Sequence, residues 1–388
     1  MVAVFPDNAS TAELQCHTSS PLFVSTSSPN STTSGHLYKI LDKRVSECAL
    51  VLFSLSQNDE LVVIKILREY QDTRYSLANL KERQRCQIEA LKRNRVFTPE
   101  IYIGLVPVHR YDPGQGWIEI GNAVEHPTEK SLDPDKEYAL LMHRLPEDRR
   151  LDVLLKDENS LWQHVQILTE HIVYVHTKLI SPISNGESAY WGSYEQLYAK
   201  LLHNLDLLGL VSVASTNSED RETLSWLKET LLKIFLQEQY HTYFEQRVQN
   251  QRIKHCHGDL KSPNIWILPN NSISSEHSGQ YVKILDAIDF NPLYCTVDIL
   301  SDFAMLVIDT QVRTGSASLA DKMIEHYLHL TNQKDEISRL VLAYYLVEKA
   351  IVGAAISIVY DDLPQLGANL LEVAQMRLES LVAMRPIP

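Results

Sequence analysis

The sequence predicts an α+β protein with two lobes, a small N-terminal lobe made of a sheet and one helix and a larger lobe made mainly of helices. Two observations carry this prediction. Short apolar runs separated by polar turns fill residues 37–144, whereas apolar residues at spacings of three and four dominate the chain after Arg144. The chain has 388 residues, of which 44% are hydrophobic, and this is enough for two lobes with full cores.

The beginning of the chain predicts a disordered tail followed by the small lobe. Residues 1–35 are rich in Ser, Thr, Pro and Asn and cannot bury enough apolar surface to offset the entropy of ordering, so we expect a disordered tail there. The small lobe is predicted to span 36–144. Its apolar runs at 49–53 and 61–67 flank a polar turn and indicate a β-hairpin. The other elements predicted for this lobe are a helix over 76–95 and strands at 101–108, 117–120 and 138–142.

Residues 145–388 are predicted to form the helical lobe. Apolar side chains recur every three or four residues between Leu161 and Leu179, which indicates an amphipathic helix. Two short apolar strands, 265–268 and 282–285, are joined by a polar insert. This lobe is therefore expected to carry one β-hairpin among its helices. Further helices are predicted over 194–210, 219–248 and most of the chain after Leu300.

Charge and cysteine content argue against several classes of protein. The formal net charge is −13 and no long basic run occurs, whereas nucleic-acid binders neutralise phosphates with clustered Lys and Arg. The five cysteines are scattered without a CxxC pair, as is typical of reduced thiols in the cytosol. The apolar stretch 340–360 contains Glu348 and Lys349, which favours a buried helix over a membrane span. No signal peptide is recognisable, so we expect a cytoplasmic protein that binds neither nucleic acid nor a membrane.

One short motif carries most of the chemical information. The stretch from His257 to Asn264 reads HGDLKSPN, and Asp286 follows the next apolar strand. Phosphoryl transfer needs positioning, metal ions across the phosphates and an acceptor for the proton of the attacking hydroxyl. Asp259 is placed to be that acceptor, and the oxygens of Asn264 and Asp286 suit Mg²⁺. The motif therefore predicts a catalytic site that uses ATP and Mg²⁺.

The HGDxxxxN segment resembles the catalytic loop of the aminoglycoside phosphotransferase family, kinases with a protein-kinase-like, two-lobed fold. Residues 285–291 (LDAIDFN) resemble the metal-binding strand of that family. Residues 298–304 (DILSDFA) resemble an element whose second acid, here Asp302, is implied to anchor the catalytic loop. Residues 98–108 (TPEIYIGLVPV) resemble a stretch of one subgroup, which is usually fused to a P-loop ATPase-like domain. This chain has no GxxxxGK[ST], so that domain is not expected here.

The resemblance implies roles for further residues. In such folds a strand lysine holds the ATP phosphates and pairs with a helix glutamate. Lys65 lies inside an apolar strand and is assigned this role, with Glu89 as its partner and Glu82, on about the same helix face, as the alternative. His257 is expected to order the catalytic loop by hydrogen bonding. Lys261 stands where many family members have histidine and is expected, as in protein kinases, to contact the transferred phosphate.

The chain departs from the family pattern near the phosphates. No GxGxxG precedes Lys65, and Gly35 is the only glycine before it. Any loop that covers the phosphates must therefore use residues 44–54 without glycine. The polar insert at 269–280 also lengthens the hairpin. Asp289 stays open between a surface acid and a metal ligand.

Three functions are consistent with these residues. The leading hypothesis is an ATP-dependent phosphotransferase whose acceptor is a hydroxyl group of a small molecule. A nucleotide-binding pseudokinase or regulatory module without turnover is the alternative, because the glycine-rich loop is missing. A protein Ser/Thr kinase is the second alternative, suggested by Lys261 alone, since no APE-like motif follows Asp286. The sequence identifies neither the acceptor nor a protein partner.

Overall fold

The computed structural model describes residues 35–46, 48–71, 76–214, 218–269, 281–359 and 363–384. The predicted tail, apart from Gly35, and the polar insert after residue 269 lie outside the described residues. The described chain has an N-terminal sheet lobe and a mainly helical C-terminal lobe, which confirms the predicted α+β fold class.

Six antiparallel strands of the N-terminal lobe close into a barrel in the order β1-β2-β3-β6-β4-β5. Side chains alternate between the two faces of a strand, so Val62, Ile64 and Ile66 of β3 lie in the barrel core while Lys65 lies on the opposite face. The pairing of β1 with β5, which closes the barrel, is a feature that the sequence does not predict. The strands are β1 His36–Val45, β2 Ala49–Leu55, β3 Leu61–Leu67, β4 Tyr102–Asp112, β5 Trp117–Ile120 and β6 Tyr138–His143.

Helix α1, Leu80–Phe97, packs against this barrel. It begins at a capping box, in which the Asn79 side chain accepts from the Glu82 backbone N–H at 2.9 Å and the Glu82 carboxylate accepts from Asn79. Its buried face includes polar side chains, among them Gln87 and Asn94. Since buried polar groups need partners, these residues indicate specific contacts of α1 with other elements.

The C-terminal lobe has one continuous hydrophobic core built around helices α9 and α11. The predicted helix over 219–248 is broken in two near residue 237, and the helix predicted from Leu161 ends in a π-turn at Val175–Leu179. The helices are α2 Leu151–Leu154, α3 Leu161–Tyr174, α4 Asn185–Trp191, α5 Tyr194–Ala214, α6 Ser218–Phe235, α7 Glu238–Gln249, α8 Pro292–Cys295, α9 Ile299–Thr314, α10 Ala317–Leu330, α11 Glu336–Val359 and α12 Pro364–Met384.

Helix α11 is the apolar helix that the sequence places in the core. It is long and apolar enough to cross a membrane by composition, but 72% of its most apolar window is buried inside the protein. The two charges near its middle are both buried, and the Glu348 carboxylate accepts from Asn204 at 2.9 Å and lies 3.6 Å from the Lys349 ammonium. The prediction of a buried helix is therefore confirmed.

Two small antiparallel ribbons carry the candidate site. Strand β7, Ile253–His255, pairs with β10, Thr296–Asp298, and strand β8, Ile265–Ile267, pairs with β9, Val282–Ile284. The HGD motif lies between β7 and β8, and Asp286 lies just after β9. Because β8 and β9 are neighbours, the end of the motif and Asp286 lie at the same edge of the ribbon.

Candidate active site

Asp302 in the first turn of α9 fixes the beginning of the catalytic loop. Its two carboxylate oxygens accept from the backbone N–H groups of Gly258 at 2.8 Å and His257 at 3.2 Å. Burial alone would raise the pKa of Asp302, but hydrogen bonds from His176 and from the loop hold this pKa below its ordinary value. Gly258 has a φ of +85°, and a Cβ there would meet the carbonyl oxygen of Tyr294 at 2.7 Å. The sharp bend therefore requires glycine at this position.

His257 joins the catalytic loop to the segment that carries Asp286. Its ring is fully buried, and its Nε2 lies 3.0 Å from the carbonyl oxygen of Leu285. The backbone N–H of Asp259 donates to Nδ1 at 3.3 Å, so Nε2 is the nitrogen that carries the proton. His257 thus orders the loop by hydrogen bonding and sets the distance between the two acidic segments.

Asp259, Lys261 and Asn264 converge within the loop. The Lys261 ammonium lies 3.0 Å from Asp259 Oδ2. The Asn264 Nδ2 group donates to the Asp259 carbonyl at 3.0 Å and to its Oδ2 at 3.2 Å. Both donors of the amide thereby face Asp259, which turns the Asn264 Oδ1 atom away from that residue. The loop thus places the Asp259 carboxylate and the Asn264 amide group next to each other.

Lys65 and Asp286 meet across the two lobes. They are 221 positions apart in the chain, yet Lys65 Nζ lies 2.6 Å from Asp286 Oδ1. The Lys65 ammonium holds the pKa of Asp286 below its ordinary value against the opposing effect of burial. Burial alone would lower the pKa of Lys65, but the negative charges of Asp286 and Asp289 outweigh this effect and raise the pKa. The Asp286 side chain is still 60% exposed, so it can reach a ligand in the cleft.

Asp289 is a second acid close to this pair. Burial raises the pKa of Asp289 to about 6, with the Lys65 charge lowering it and the Asp286 charge raising it. The sequence leaves this residue open between a surface acid and a metal ligand. The charges of Lys65 and Asp286 both act on the pKa of Asp289, and the Asp289 charge in turn raises the pKa of Lys65.

Glu89 is not brought to Lys65 in the described structure. Its carboxylate lies 3.8 Å from the ammonium of Lys92, one helical turn along α1. The alternative, Glu82, is used in the capping box at the start of the helix. The α1 residue that faces Lys65 is Gln87, which donates to the Lys65 carbonyl oxygen at 3.0 Å. The helix partner predicted for the Lys65 ammonium is therefore replaced by Asp286.

A cavity of about 200 Å³ lies between the lobes and opens beside these residues. Apolar side chains from β2, β3 and β6 form its roof, and the Trp266 ring on β8 lines the opposite side. At its mouth the guanidinium groups of Arg44 and Arg144 lie 4.8 and 5.0 Å from the centre of the Phe53 ring. The sequence pattern does not identify these residues as cavity-lining. Trp266 could have been identified, because it is the residue of strand β8, just after Asn264, that alternation places on the face opposite the core.

The turn between β1 and β2 is the position at which a glycine-rich loop would lie. Its hydrogen bonds are internal: the Ser46 backbone N–H donates to the Ala49 carbonyl at 2.9 Å, and the Ala49 N–H donates to Ser46 Oγ at 3.1 Å. Arg68 donates to the carbonyl oxygens of Ser46 and Cys48. The backbone N–H groups of Ser46 and Ala49 are thus already paired within the hairpin, so this turn differs from a loop whose amides bind phosphate.

Comparison with known proteins gives matches of structure only. No protein-family model and no curated protein sequence matches the chain. Among solved structures, it aligns with a choline kinase from Cryptosporidium parvum at 11% identity and a TM-score of 0.49, over 90% of this chain and 92% of that chain. An ethanolamine kinase from Plasmodium vivax aligns at 12% identity and a TM-score of 0.46, over 87% and 81% of the two chains. A glucosamine kinase aligns at 13% identity and a TM-score of 0.39, over 91% and 96%. At these identities any likeness concerns the fold alone.

Proposed function

We propose that this chain is an ATP-dependent phosphotransferase that moves the γ-phosphate of ATP to a hydroxyl group of a small molecule. One observation carries the proposal. Lys65, Asn264 and Asp286 come from three separate stretches of the chain and line one interlobe cavity, and the Asp259 carboxylate accepts from Asn264 beside it. A lysine, a carboxylate base and a pair of oxygen ligands are the groups that phosphoryl transfer requires.

The cavity suits the base of a nucleotide. A flat purine fits between the side chains of Val51 and Val63 on one side and the Trp266 ring on the other, because apolar and aromatic surfaces favour burial of a ring. In this pose the phosphates extend toward Lys65, whose ammonium would exchange its contact with Asp286 for the phosphate oxygens. Since the amides of Ser46 and Ala49 are already paired, Lys65 is the group of this lobe that we propose for phosphate binding.

The residues that would hold Mg²⁺ are Asn264 and Asp286. Carboxylate and amide oxygens are hard donors of the kind Mg²⁺ prefers, the Asp286 side chain is exposed to the cleft, and Asn264 Oδ1 faces away from Asp259. When bound there, Mg²⁺ would offset the negative charge of the phosphates. The donor set therefore fits the cation that the sequence predicts.

Asp259 is the proposed proton acceptor. The oxygen of the acceptor hydroxyl forms a bond to the γ-phosphorus, the bond from that phosphorus to the bridging oxygen of ADP breaks, and the hydroxyl proton passes to an Asp259 carboxylate oxygen. Lys261, 3.0 Å from the same carboxylate, is placed to contact the phosphoryl group as it moves. A phosphorylated acceptor and ADP are the products.

A small molecule is a better acceptor than a protein because of the segment that follows Asp286. Only residues 287–298 separate it from α9, and residues 292–298 of this segment form α8 and β10. A segment this short leaves little surface on which an extended peptide can lie. We therefore place the protein Ser/Thr kinase below the small-molecule enzyme.

Release of ADP from ATP and Mg²⁺ in the presence of a panel of small hydroxyl compounds tests the proposal. Asp259→Ala should lower turnover by roughly 100- to 10,000-fold, while the rise in melting temperature caused by ATP remains, since the nucleotide is held elsewhere. Asp135→Ala, at an exposed position of the other lobe, is the control and should behave as wild type. A wild-type chain that ATP neither stabilises nor converts would refute the proposal, and stabilisation without ADP release across the panel would favour the nucleotide-binding module.

A further inference from the structure

The segment Thr98–Tyr102 lies between α1 and β4 and runs alongside β9 and Asp286. We call it the template segment. Thr98 is almost fully buried, and its hydroxyl donates to the Ile284 carbonyl at 2.9 Å and accepts from the Ile284 N–H at 3.0 Å. One side chain thus binds both main-chain polar groups of a β9 residue, as a neighbouring strand would.

Alternate residues of the template segment make the further contacts. The Glu100 carboxylate forms an ion pair with the ammonium of Lys283, whose side chain is otherwise buried. The Tyr102 hydroxyl accepts from the backbone N–H of Asp286 at 3.1 Å. Residues 98, 100 and 102 therefore all face the chain from Lys283 to Asp286, while the TPEIY sequence in which they lie has no role in the proposed chemistry.

Asn94 of α1 extends these contacts by one residue. The Tyr102 hydroxyl donates its proton to Asn94 Oδ1 at 3.0 Å, and the same oxygen accepts from the Ala287 N–H at 2.9 Å. The Asn94 Nδ2 group is anchored by the carbonyl oxygen of Ala90 at 2.8 Å. The backbone N–H groups on both sides of the Asp286 Cα are thus bound by two buried side chains of the other lobe.

The backbone of Asp286 needs such support. Its φ is +65°, in the left-handed region that residues with a Cβ rarely adopt. With its own N–H and that of Ala287 held by Tyr102 and Asn94, the Asp286 carboxylate lies beside Lys65 at the cavity. If the two amides were released, the chain would be free to relax toward a right-handed conformation and to turn the carboxylate elsewhere.

We propose that Tyr102 and Asn94 are positioning residues that hold Asp286 in its metal-binding conformation, with Thr98 fixing the strand before it. This inference rests on the proposed function, in which Asp286 is a Mg²⁺ ligand. It assigns a role to a sequence stretch that the catalytic residues leave unexplained. It also explains why neutral polar residues are buried at the end of α1 and the start of β4.

The test compares two buried tyrosines of the same lobe. Tyr102→Phe removes only the hydroxyl that accepts from Asp286. Tyr138→Phe is the matched control, since the buried Tyr138 hydroxyl also accepts one backbone N–H, from Asp133 at 3.1 Å. Hydrogen exchange of a peptide that covers 284–290 is measured without nucleotide or metal. We expect Tyr102→Phe to exchange there about tenfold faster than wild type, and Tyr138→Phe to match wild type.

A second measurement determines how turnover depends on the Mg²⁺ concentration. Loss of a group that orients a metal ligand weakens metal binding about 10-fold to 100-fold. The Mg²⁺ concentration for half-maximal turnover should therefore rise about tenfold in Tyr102→Phe and stay unchanged in Tyr138→Phe. Asn94→Ala removes the oxygen that accepts from Tyr102 and Ala287 and should reproduce the defect even if Tyr102→Phe fails to fold.

Two results would overturn the inference. One is wild-type exchange at 284–290 in both Tyr102→Phe and Asn94→Ala, and the other is equal acceleration in Tyr138→Phe. If the wild-type chain shows no turnover, the proposed function fails by that result alone. The exchange measurement then still decides whether Tyr102 and Asn94 hold the Asp286 backbone.

Discussion

The catalytic loop and the Asp286 segment are held in place by different lobes and different chemistry. The loop that carries Asp259 is fixed from its own lobe by Asp302, an acid on α9 that accepts two backbone N–H groups. The Asp286 segment is fixed from the opposite lobe by the neutral side chains of Thr98, Asn94 and Tyr102. Lys65 belongs to the same lobe as those side chains. The Asp286 segment is nevertheless bound to the Asp259 loop as well, because the Leu285 N–H donates to the Asn264 carbonyl at 2.9 Å and the Ile288 N–H donates to the His257 carbonyl at 3.0 Å.

His257 limits how far the two regions can separate. Its ring belongs to the catalytic loop and contacts the carbonyl oxygen of Leu285, next to Asp286. The two regions are thus joined by this imidazole as well as by the backbone hydrogen bonds between them. A single substitution can remove either the Asp302 support of the Asp259 loop or one of the side chains that support the Asp286 segment. The expected losses of stability differ in size and in pH dependence.

Removal of Asp302 should have the largest effect. Asp302→Ala leaves the buried N–H groups of His257 and Gly258 without their acceptor, and an orphaned buried group costs about 1–3 kcal/mol. We expect the free energy of unfolding to fall by about 4 kcal/mol, measured by urea denaturation. Asp302→Asn keeps one oxygen acceptor and should lose about half as much. Equal losses for both variants would show that the carboxylate is not what holds the loop.

Protonation of His171 should give the next largest effect, near the Asp286 support. This buried residue of α3 lies close to Lys283, and burial first and then the Lys283 charge lower the pKa of His171 to about 4. The folded state therefore keeps the ring neutral, whereas the unfolded chain takes up a proton near pH 6.5. The contribution of the neutral His171 ring to the free energy of unfolding is fully present above pH 6.5 and is lost as the pH falls toward 4. This contribution is about 3 kcal/mol at most.

The measurement for His171 compares urea midpoints at pH 7.5 and at pH 4.5. His171→Phe should remove most of this acid sensitivity, because no proton can then bind at the site. His241→Gln, which alters a half-exposed histidine of α7, should leave the sensitivity as in wild type. An unchanged pH dependence in His171→Phe would mean that other groups destabilise the protein in acid.

Thr98→Val tests the neutral side chains that hold the Asp286 segment, because it replaces one hydroxyl with a methyl group of similar size. The variant keeps the shape of the side chain but loses the hydroxyl that binds both polar groups of Ile284, at a cost of about 2 kcal/mol. Thr169→Val is the control, because the buried Thr169 hydroxyl bonds only to a carbonyl of its own helix at 2.7 Å. We expect a smaller loss for the control, and denaturation of the two variants side by side checks the difference.

Substitution of Glu89 should have the smallest effect. Glu89→Gln removes a charge that lies beside Lys92 on the surface of α1, and exposed pairs contribute about 0–1 kcal/mol. Turnover and ATP affinity should change less than about twofold. A large loss of ATP affinity would instead show that Glu89 moves to Lys65 when nucleotide binds, as the sequence predicts. The same titration with Asp289→Asn would then show which acid supports the lysine.

The sequence predicts the parts of the site that depend on local spacing. Asp259 and Asn264 lie in one short loop, and Lys65 stands alone in an apolar strand, so each is conspicuous. Glu89, with Glu82 as the alternative, is predicted as the helix partner of Lys65 because the resemblance implies a glutamate. In the structure Gln87 donates to the Lys65 carbonyl oxygen instead, and a difference of two residues turns a helical side chain by roughly 200°, which the sequence pattern does not resolve.

The supports of Asp286 could not be predicted for a different reason. Tyr102 and Asp286 are 184 positions apart, and a buried tyrosine or asparagine carries no charge pattern that announces its partner. The TPEIY stretch resembles a stretch of one family subgroup, but the contacts that its side chains make depend on which strand lies beside it. Closure of the barrel is hidden in the same way, since the pairing of β1 with β5 joins strands that are far apart in the chain.

The pairing that closes the barrel also fixes how short the chain can become. Residues 36–39 of β1 bind β5, and residues 39–45 bind β2. Loss of residues 36–39 would release β5 from β1, and an unpaired strand edge invites a second molecule to bind it. Truncation within this short stretch should thus promote aggregation.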